Sequence, residues 1–183
     1  MLGRLRNLLF LRTSKKLTQI GTMKKYLFAL LTITVLFACE SEKEVPLVKL
    51  DLLEYGVPVS IMAPDSATVE KSDFGPIMKD VTIKKGKDFF VQIYASQATT
   101  TDVGKLKAQE LAEVKGKKYF SKIILDEPDG FIYETKVDSS YIDYGFRHVR
   151  VQGTTEYIFQ TGLIGPFSLE SVKTMYAAVK PQK

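Results

Sequence analysis

An α+β fold built on an antiparallel sheet of about six strands is what residues 50–183 predict, and three observations carry it. Apolar and polar residues alternate with period 2 along several short runs, as half-buried strands require. Turn residues join those runs directly, which antiparallel hairpins allow and parallel crossovers do not. Two helical stretches, one after the first strands and one closing the C-terminal end, stand apart from the strand runs instead of alternating with them.

Along the chain, Leu50 to Tyr55 reads as a helical turn or a first strand. Val57, Val59 and Ile61 alternate with Pro58 and Ser60, and Pro58, which has no N–H to give a ladder, favours an edge. Ala63-Pro64-Asp65 breaks the run. Val81 and Ile83, then Phe89, Val91 and Ile93, alternate on either side of Lys84-Lys85-Gly86-Lys87-Asp88, so residues 77–95 predict a hairpin. Thr100-Thr101-Asp102 offers a helix cap. Val103, Leu106, Leu111 and Val114 follow at helical spacing, and Gly116 ends the helix. Tyr119 to Leu125 and Phe131 to Val137 predict strands around Asp126-Glu127-Pro128-Asp129-Gly130, whose Pro-Asp-Gly suits a tight turn. Tyr141 to Gln152 and Thr155 to Leu163 form another pair through Gly153-Thr154. Ser168 caps a last helix with Leu169, Val172, Tyr176 and Val179 on one face and Pro181 beyond its end.

Ahead of this domain the charge is asymmetric. Residues 1–38 carry seven of the 26 Lys and Arg and no acid, so the net charge of +5 belongs to them. Residues 39–183 hold 19 basic against 21 acidic side chains, a net of −2, which removes the nucleic-acid reading that a basic protein invites. Those 145 residues suffice for one domain with a core. Cys39 is the only cysteine, so no internal disulfide is available and packing must hold the fold.

Lys24 and Lys25 precede a thirteen-residue apolar run, Tyr26 to Ala38, which is too short to span a hydrocarbon core needing about 20 helical residues. A basic front, an apolar run of this length and a small residue before the break describe a secretory signal. Leu36-Phe37-Ala38-Cys39 resembles the lipobox of bacterial lipoproteins, with Phe37 standing where a small residue is usual. The resemblance implies cleavage before Cys39 and lipidation of that cysteine. Met23 then reads as the start, with residues 1–22 an upstream extension or, in the alternative with Met1 as the start, a long basic n-region; 23–38 is the signal peptide and 39–49 a lipidated tether. Ser41-Glu42-Lys43-Glu44 is similar to acidic sorting signals of outer-membrane lipoproteins, which implies the periplasmic or surface face of that membrane.

The order of elements in residues 56–180, with strings such as Ile124-Leu125-Asp126-Glu127-Pro128 and Phe167-Ser168-Leu169-Glu170, resembles the PsbP-like α-β-α sandwich group. That group includes extrinsic photosystem subunits and small bacterial lipoproteins. It brings no active-site motif to carry over, so the resemblance speaks for the fold.

Candidate chemistry is sparse. His148 is the only histidine and lies on the strand face opposite Arg147 and Val149; alone it makes neither a zinc set nor a catalytic pair, and a packed or surface imidazole is the expectation. Asp126, Glu127, Asp129 and Glu134 could offer oxygen ligands to a hard cation, without calcium-loop spacing. Tyr133, Tyr141, Tyr144 and Tyr157 could line a groove, or pair across strands. Gly153, Gly162 and Gly165 are isolated, and no phosphate-binding loop or nucleophile elbow occurs. These readings predict an envelope lipoprotein, not an enzyme, without cofactor or metal. Its expected partners are the membrane, through Cys39, and an envelope protein or ligand, with no nucleic acid. An envelope enzyme whose site leaves no sequence mark is the alternative class.

Overall fold

The computed structural model describes residues 46–181 apart from 74 and 76; the expected upstream extension, the expected signal peptide, Cys39 and residues 39–45 of the expected tether lie outside them. The α+β class is as predicted, with more strands than six. A hairpin of β1 (Leu47–Asp51) and β2 (Ser60–Pro64) encloses a short 3-10 turn, Leu53–Tyr55. Then follow β3 (Thr68–Asp73), β4 (Met78–Lys85), β5 (Phe89–Gln97), α1 (Val103–Lys115), β6 (Phe120–Glu127), β7 (Gly130–Lys136), β8 (Ile142–Gln152), β9 (Thr155–Thr161) and α2 (Leu169–Val179).

β3 to β9 form one seven-stranded sheet in the order β3-β4-β5-β9-β8-β7-β6, with every neighbouring pair antiparallel. β1 takes in Leu47–Lys49, which the sequence assigns to the tether. β3 carries a single large apolar residue, Val69, so alternation did not reveal it; its pairing with β4 from Thr68↔Lys84 to Asp73↔Lys79 makes it a strand.

The helix ends follow from local chemistry. Asp102 accepts the N–H of Lys105 at 3.1 Å and Ser168 accepts that of Ser171 at 3.1 Å, each satisfying an orphan donor of a first turn. Gly116 terminates α1 as expected.

Register sorts the side chains onto two faces. Val81, Ile93, Phe159 and His148 form one in-line row across four strands, and Ile132 faces Phe146 on the same side. This inner face is covered by α2 and by the β1–β2 hairpin, and together they bury the main core from Leu52 to Val179. On the outer face the row runs Thr82, Gln92, Gln160, Arg147, Phe131. There α1 packs its Val114 on Phe131 and Tyr133 in a smaller second cluster. The two helices therefore lie on opposite faces of the sheet.

The closing helix is core, though not through all the residues its spacing suggested. Val172, Met175, Tyr176, Ala178 and Val179 are buried, while Leu169 at the first turn is only half-buried. Val172→Ala is expected to cost about 2 kcal/mol, from two buried carbons at about 0.8 kcal/mol each plus a residual cavity. Lys173→Ala, on the exposed face, is expected to stay within about 0.5 kcal/mol of the parent in urea melts. Equal midpoint shifts for the two changes would remove the helix from the core.

Candidate functional site

Two polar clusters lie on opposite faces of the sheet. The inner one joins features that the sequence singled out separately. Pairing of β7 with β8 sets Gly130 opposite His148, so the two-residue Pro128-Asp129 turn closes beside the imidazole. A Cβ built on Gly130 would stand 2.6 Å from the Arg147 carbonyl oxygen and 2.7 Å from the Tyr176 hydroxyl. Only glycine admits the phenol to this spot.

Tyr176 donates to Glu127 Oε2 at 2.8 Å, and the same carboxylate is ion-paired with Lys180. Lys180 and the Tyr176 hydrogen bond hold the Glu127 carboxyl below its usual range, against a smaller desolvation cost. Burial, followed by the hydrogen bond to Glu127, pushes the Tyr176 phenol well above the ordinary tyrosine value.

His148 is 1% exposed and packs against the ring of Phe159 at 5.4 Å and the edge of Tyr176 at 6.2 Å. Its Nδ1 is 3.8 Å from Asp129 Oδ1, beyond hydrogen-bond length, and neither ring nitrogen has a hydrogen-bond partner. Desolvation lowers its pKa to about 4; Asp129 opposes the shift, and the positive charges of Arg150 and Lys180 reinforce it. The imidazole is thus a packed group held neutral at pH 7 by its burial, where the sequence left packed and surface positions both open.

The other candidates disperse. Asp126 pairs with Lys107 of α1, and Glu134 accepts from Ser121 Oγ at 2.8 Å and lies 3.4 Å from Lys122 Nζ. With Glu127 taken up by Tyr176 and Lys180, the four carboxylates do not converge, and no group of three or more metal-ligating side chains occurs among the described residues. The tyrosines do not share a groove either. Tyr133 is buried on the outer face under α1, Tyr144 and Tyr157 belong to the inner core, and Tyr141 is exposed before β8. Register separates Tyr133 from Tyr144: Tyr133 pairs with Gly145, and Tyr144, one residue away on β8, points to the opposite face.

The outer cluster was not anticipated. Gln92 Nε2 donates to Asp80 Oδ2 at 2.9 Å, and Gln160 Nε2 donates to Gln92 Oε1 at 3.0 Å, a chain across β4, β5 and β9. Beside it Arg147 donates through Nε to Glu110 Oε2 of α1 at 3.2 Å and through Nη1 to the Phe146 carbonyl at 3.3 Å. Asp80, Gln92, Arg147 and Gln160 are all buried. Burial raises the Asp80 carboxyl, with Gln92 opposing it, and burial likewise raises Glu110 against the pull of Arg147. Asp80 Oδ1 has no partner. The marks of this network in the sequence are Gln92 inside the apolar run of residues 89–95 and Gln160 directly after Tyr157-Ile158-Phe159, positions that alternation alone would put in water.

Two clefts open at the edges of the fold. The larger, about 480 Å³, lies between the ends of β4, β5 and β9 and the loop at Gly56, whose carbonyl accepts Lys79 Nζ at 2.9 Å. The smaller, about 240 Å³, is lined by Lys49, Ser60 and Arg150 among others. Both are open to solvent and have polar as well as apolar walls. Comparisons with protein-family models, curated proteins and solved structures found no match for this chain.

Proposed function

We propose that this chain is a bacterial envelope lipoprotein, tethered by a lipid on Cys39 to the outer membrane, whose domain is a non-enzymatic assembly, docking or ligand-binding module. The observation that carries the reading is Leu36-Phe37-Ala38-Cys39 directly behind the Lys24-Lys25 front and its thirteen-residue apolar run. β1 begins eight residues after Cys39, the spacing of a short tether between a lipid and a folded module. No helix among the described residues is long and apolar enough to cross a membrane, so attachment at Cys39 supplies the membrane link in this reading. The tyrosine and carboxylate groups around His148 are engaged in holding α2 to the β6–β7 turn, which favours a structural role for the cluster. The PsbP-like sandwich group is the proposed architectural kin, supported by two helices on opposite faces of one antiparallel sheet.

Labelled fatty acid fed to cells making the full chain tests the anchor. The parent is expected to incorporate label, and Cys39→Ser to remain an unlabelled precursor of undiminished mass. Equal labelling of the two would overturn the lipoprotein reading.

A further inference from the structure

We infer that one end of the seven-stranded sheet is a docking face for an anionic lipid bilayer. This end gathers the β4–β5 turn, the β9–α2 loop, the β7–β8 loop and the start of β6, as the pairs Lys85↔Phe89, Val91↔Thr161, Lys136↔Ile142 and Phe120↔Thr135 require. Ten large apolar side chains stay exposed among the described residues, and six of them sit here: Tyr119, Val137, Tyr141, Ile142, Leu163 and Ile164. Such clustering marks an interaction surface, where scattered exposed residues would not.

Leu163 and Ile164 are 79% and 75% exposed at the loop tip. The loop is pinned on both sides, by Gly162 N–H donating to the Phe90 carbonyl at 2.8 Å and by Phe167 N–H donating to Asp143 Oδ1 at 2.7 Å. Gly162 also lies under the Phe90 ring, where an added Cβ would meet ring carbon at 2.3 Å. Between these two fixed ends Leu163 and Ile164 are presented to solvent.

The same end is basic. Lys84, Lys85 and Lys87 leave one turn, exposed, and Lys118 stands over the Tyr119 ring at 5.0 Å. Asp88 lies in the turn, Asp65 precedes Ser66, whose carbonyl Lys85 reaches, and Asp138 is taken up by the Ser140 and Tyr141 N–H groups of its own loop. The acidic Asp126-Glu127-Pro128-Asp129 turn is at the far end of the sheet. Apolar tips among lysines suit the boundary of an anionic bilayer, where apolar groups enter the headgroup layer and cations meet phosphate.

The path of the chain agrees. Leu47 pairs with Pro64, and Lys85 Nζ donates to the Ser66 carbonyl at 3.1 Å, so β1 starts beside the lysine turn. Eight residue steps separate Cys39 from Leu47, at most about 28 Å when fully extended. This orientation argument rests on the Cys39 anchor proposed above; the surface argument does not.

The chain has no tryptophan, so an introduced one reports alone. Full chain carrying Leu163→Trp, and separately Ile77→Trp at the opposite end, is reconstituted with phosphatidylglycerol/phosphatidylcholine vesicles containing brominated phosphatidylcholine. The expected result is a blue shift and bromolipid quenching at position 163 only, weakened by high salt, by pure phosphatidylcholine and by Lys84→Glu with Lys85→Glu and Lys87→Glu. No quenching at either position, or quenching at position 77 alone, overturns the docking face and points to a protein covering this end instead. The anchor is read separately by fatty-acid labelling. Label without quenching at 163 sinks the face and keeps the anchor, and quenching without label does the reverse.

Discussion

Truncation of Phe146 to alanine is expected to cost about 3–5 kcal/mol, a large share of the stability of a domain this size. Phe146 is fully buried on β8 at the centre of the inner face. Its ring meets that of Tyr176 at 5.8 Å in an edge-on arrangement, and Ile132 stands directly across on β7. Hydrogen-bonded strands on both sides fix the backbone, so the space left by the ring cannot close by a local shift. The loss adds the transfer term of the ring to the dispersion contacts of its lining. Truncating exposed Tyr141 in the same way is expected to move stability by no more than about 0.5 kcal/mol. Urea melts at pH 7 compare them, and a loss below about 1 kcal/mol for Phe146→Ala would show that α2 does not close over this part of the sheet.

Acidification is expected to weaken the fold by about 3 kcal/mol through His148 alone. Its pKa is lowered from 6.5 to about 4 by burial, and each unit corresponds to about 1.4 kcal/mol. Because the folded pKa lies below the unfolded one, the unfolded chain binds more protons between those values. The contribution is therefore fully present above about pH 6.5 and is lost as pH falls towards 4. Asp80, Glu110 and Asp143, all raised by burial, act in the opposite sense and regain some stability on acidification. Glu127 and Glu134, both lowered by their hydrogen-bonded partners, lose theirs as pH falls through their folded values. Comparing the parent with His148→Phe, whose ring suits the contacts to Phe159 and Tyr176, isolates the histidine. The difference in stability between the two proteins should change by about 3 kcal/mol from pH 7 to pH 4. A constant difference would mean that the imidazole can reach water or Asp129 when it is charged.

These two expectations draw on different kinds of information. That Phe146 and His148 share a face of β8 follows from alternation along one strand, which is local. That they meet Tyr176, and that His148 comes beside Asp129, depends on the β7–β8 register and on where α2 lands. Alternation predicts which residues point the same way. It says nothing about which strand lies alongside.

The sequence by itself determined the charge asymmetry between residues 1–38 and the remainder, the helix caps at Asp102 and Ser168, the Pro128-Asp129 turn and the α+β class. Each depends on neighbours within a few residues, where capping, turn geometry and periodicity act. Only the tertiary structure decided that β5 pairs with β9, joining the two halves of the chain into one sheet. It decided that β3 is a strand despite one apolar residue, because an edge partner needs backbone hydrogen bonds more than a hydrophobic face. It buried Asp80, Gln92 and Gln160, since their shielding comes from side chains on other strands. It also brought Leu163, Ile164 and the Lys84–Lys87 turn to one end, a juxtaposition of segments some 80 residues apart in sequence that only strand order can create.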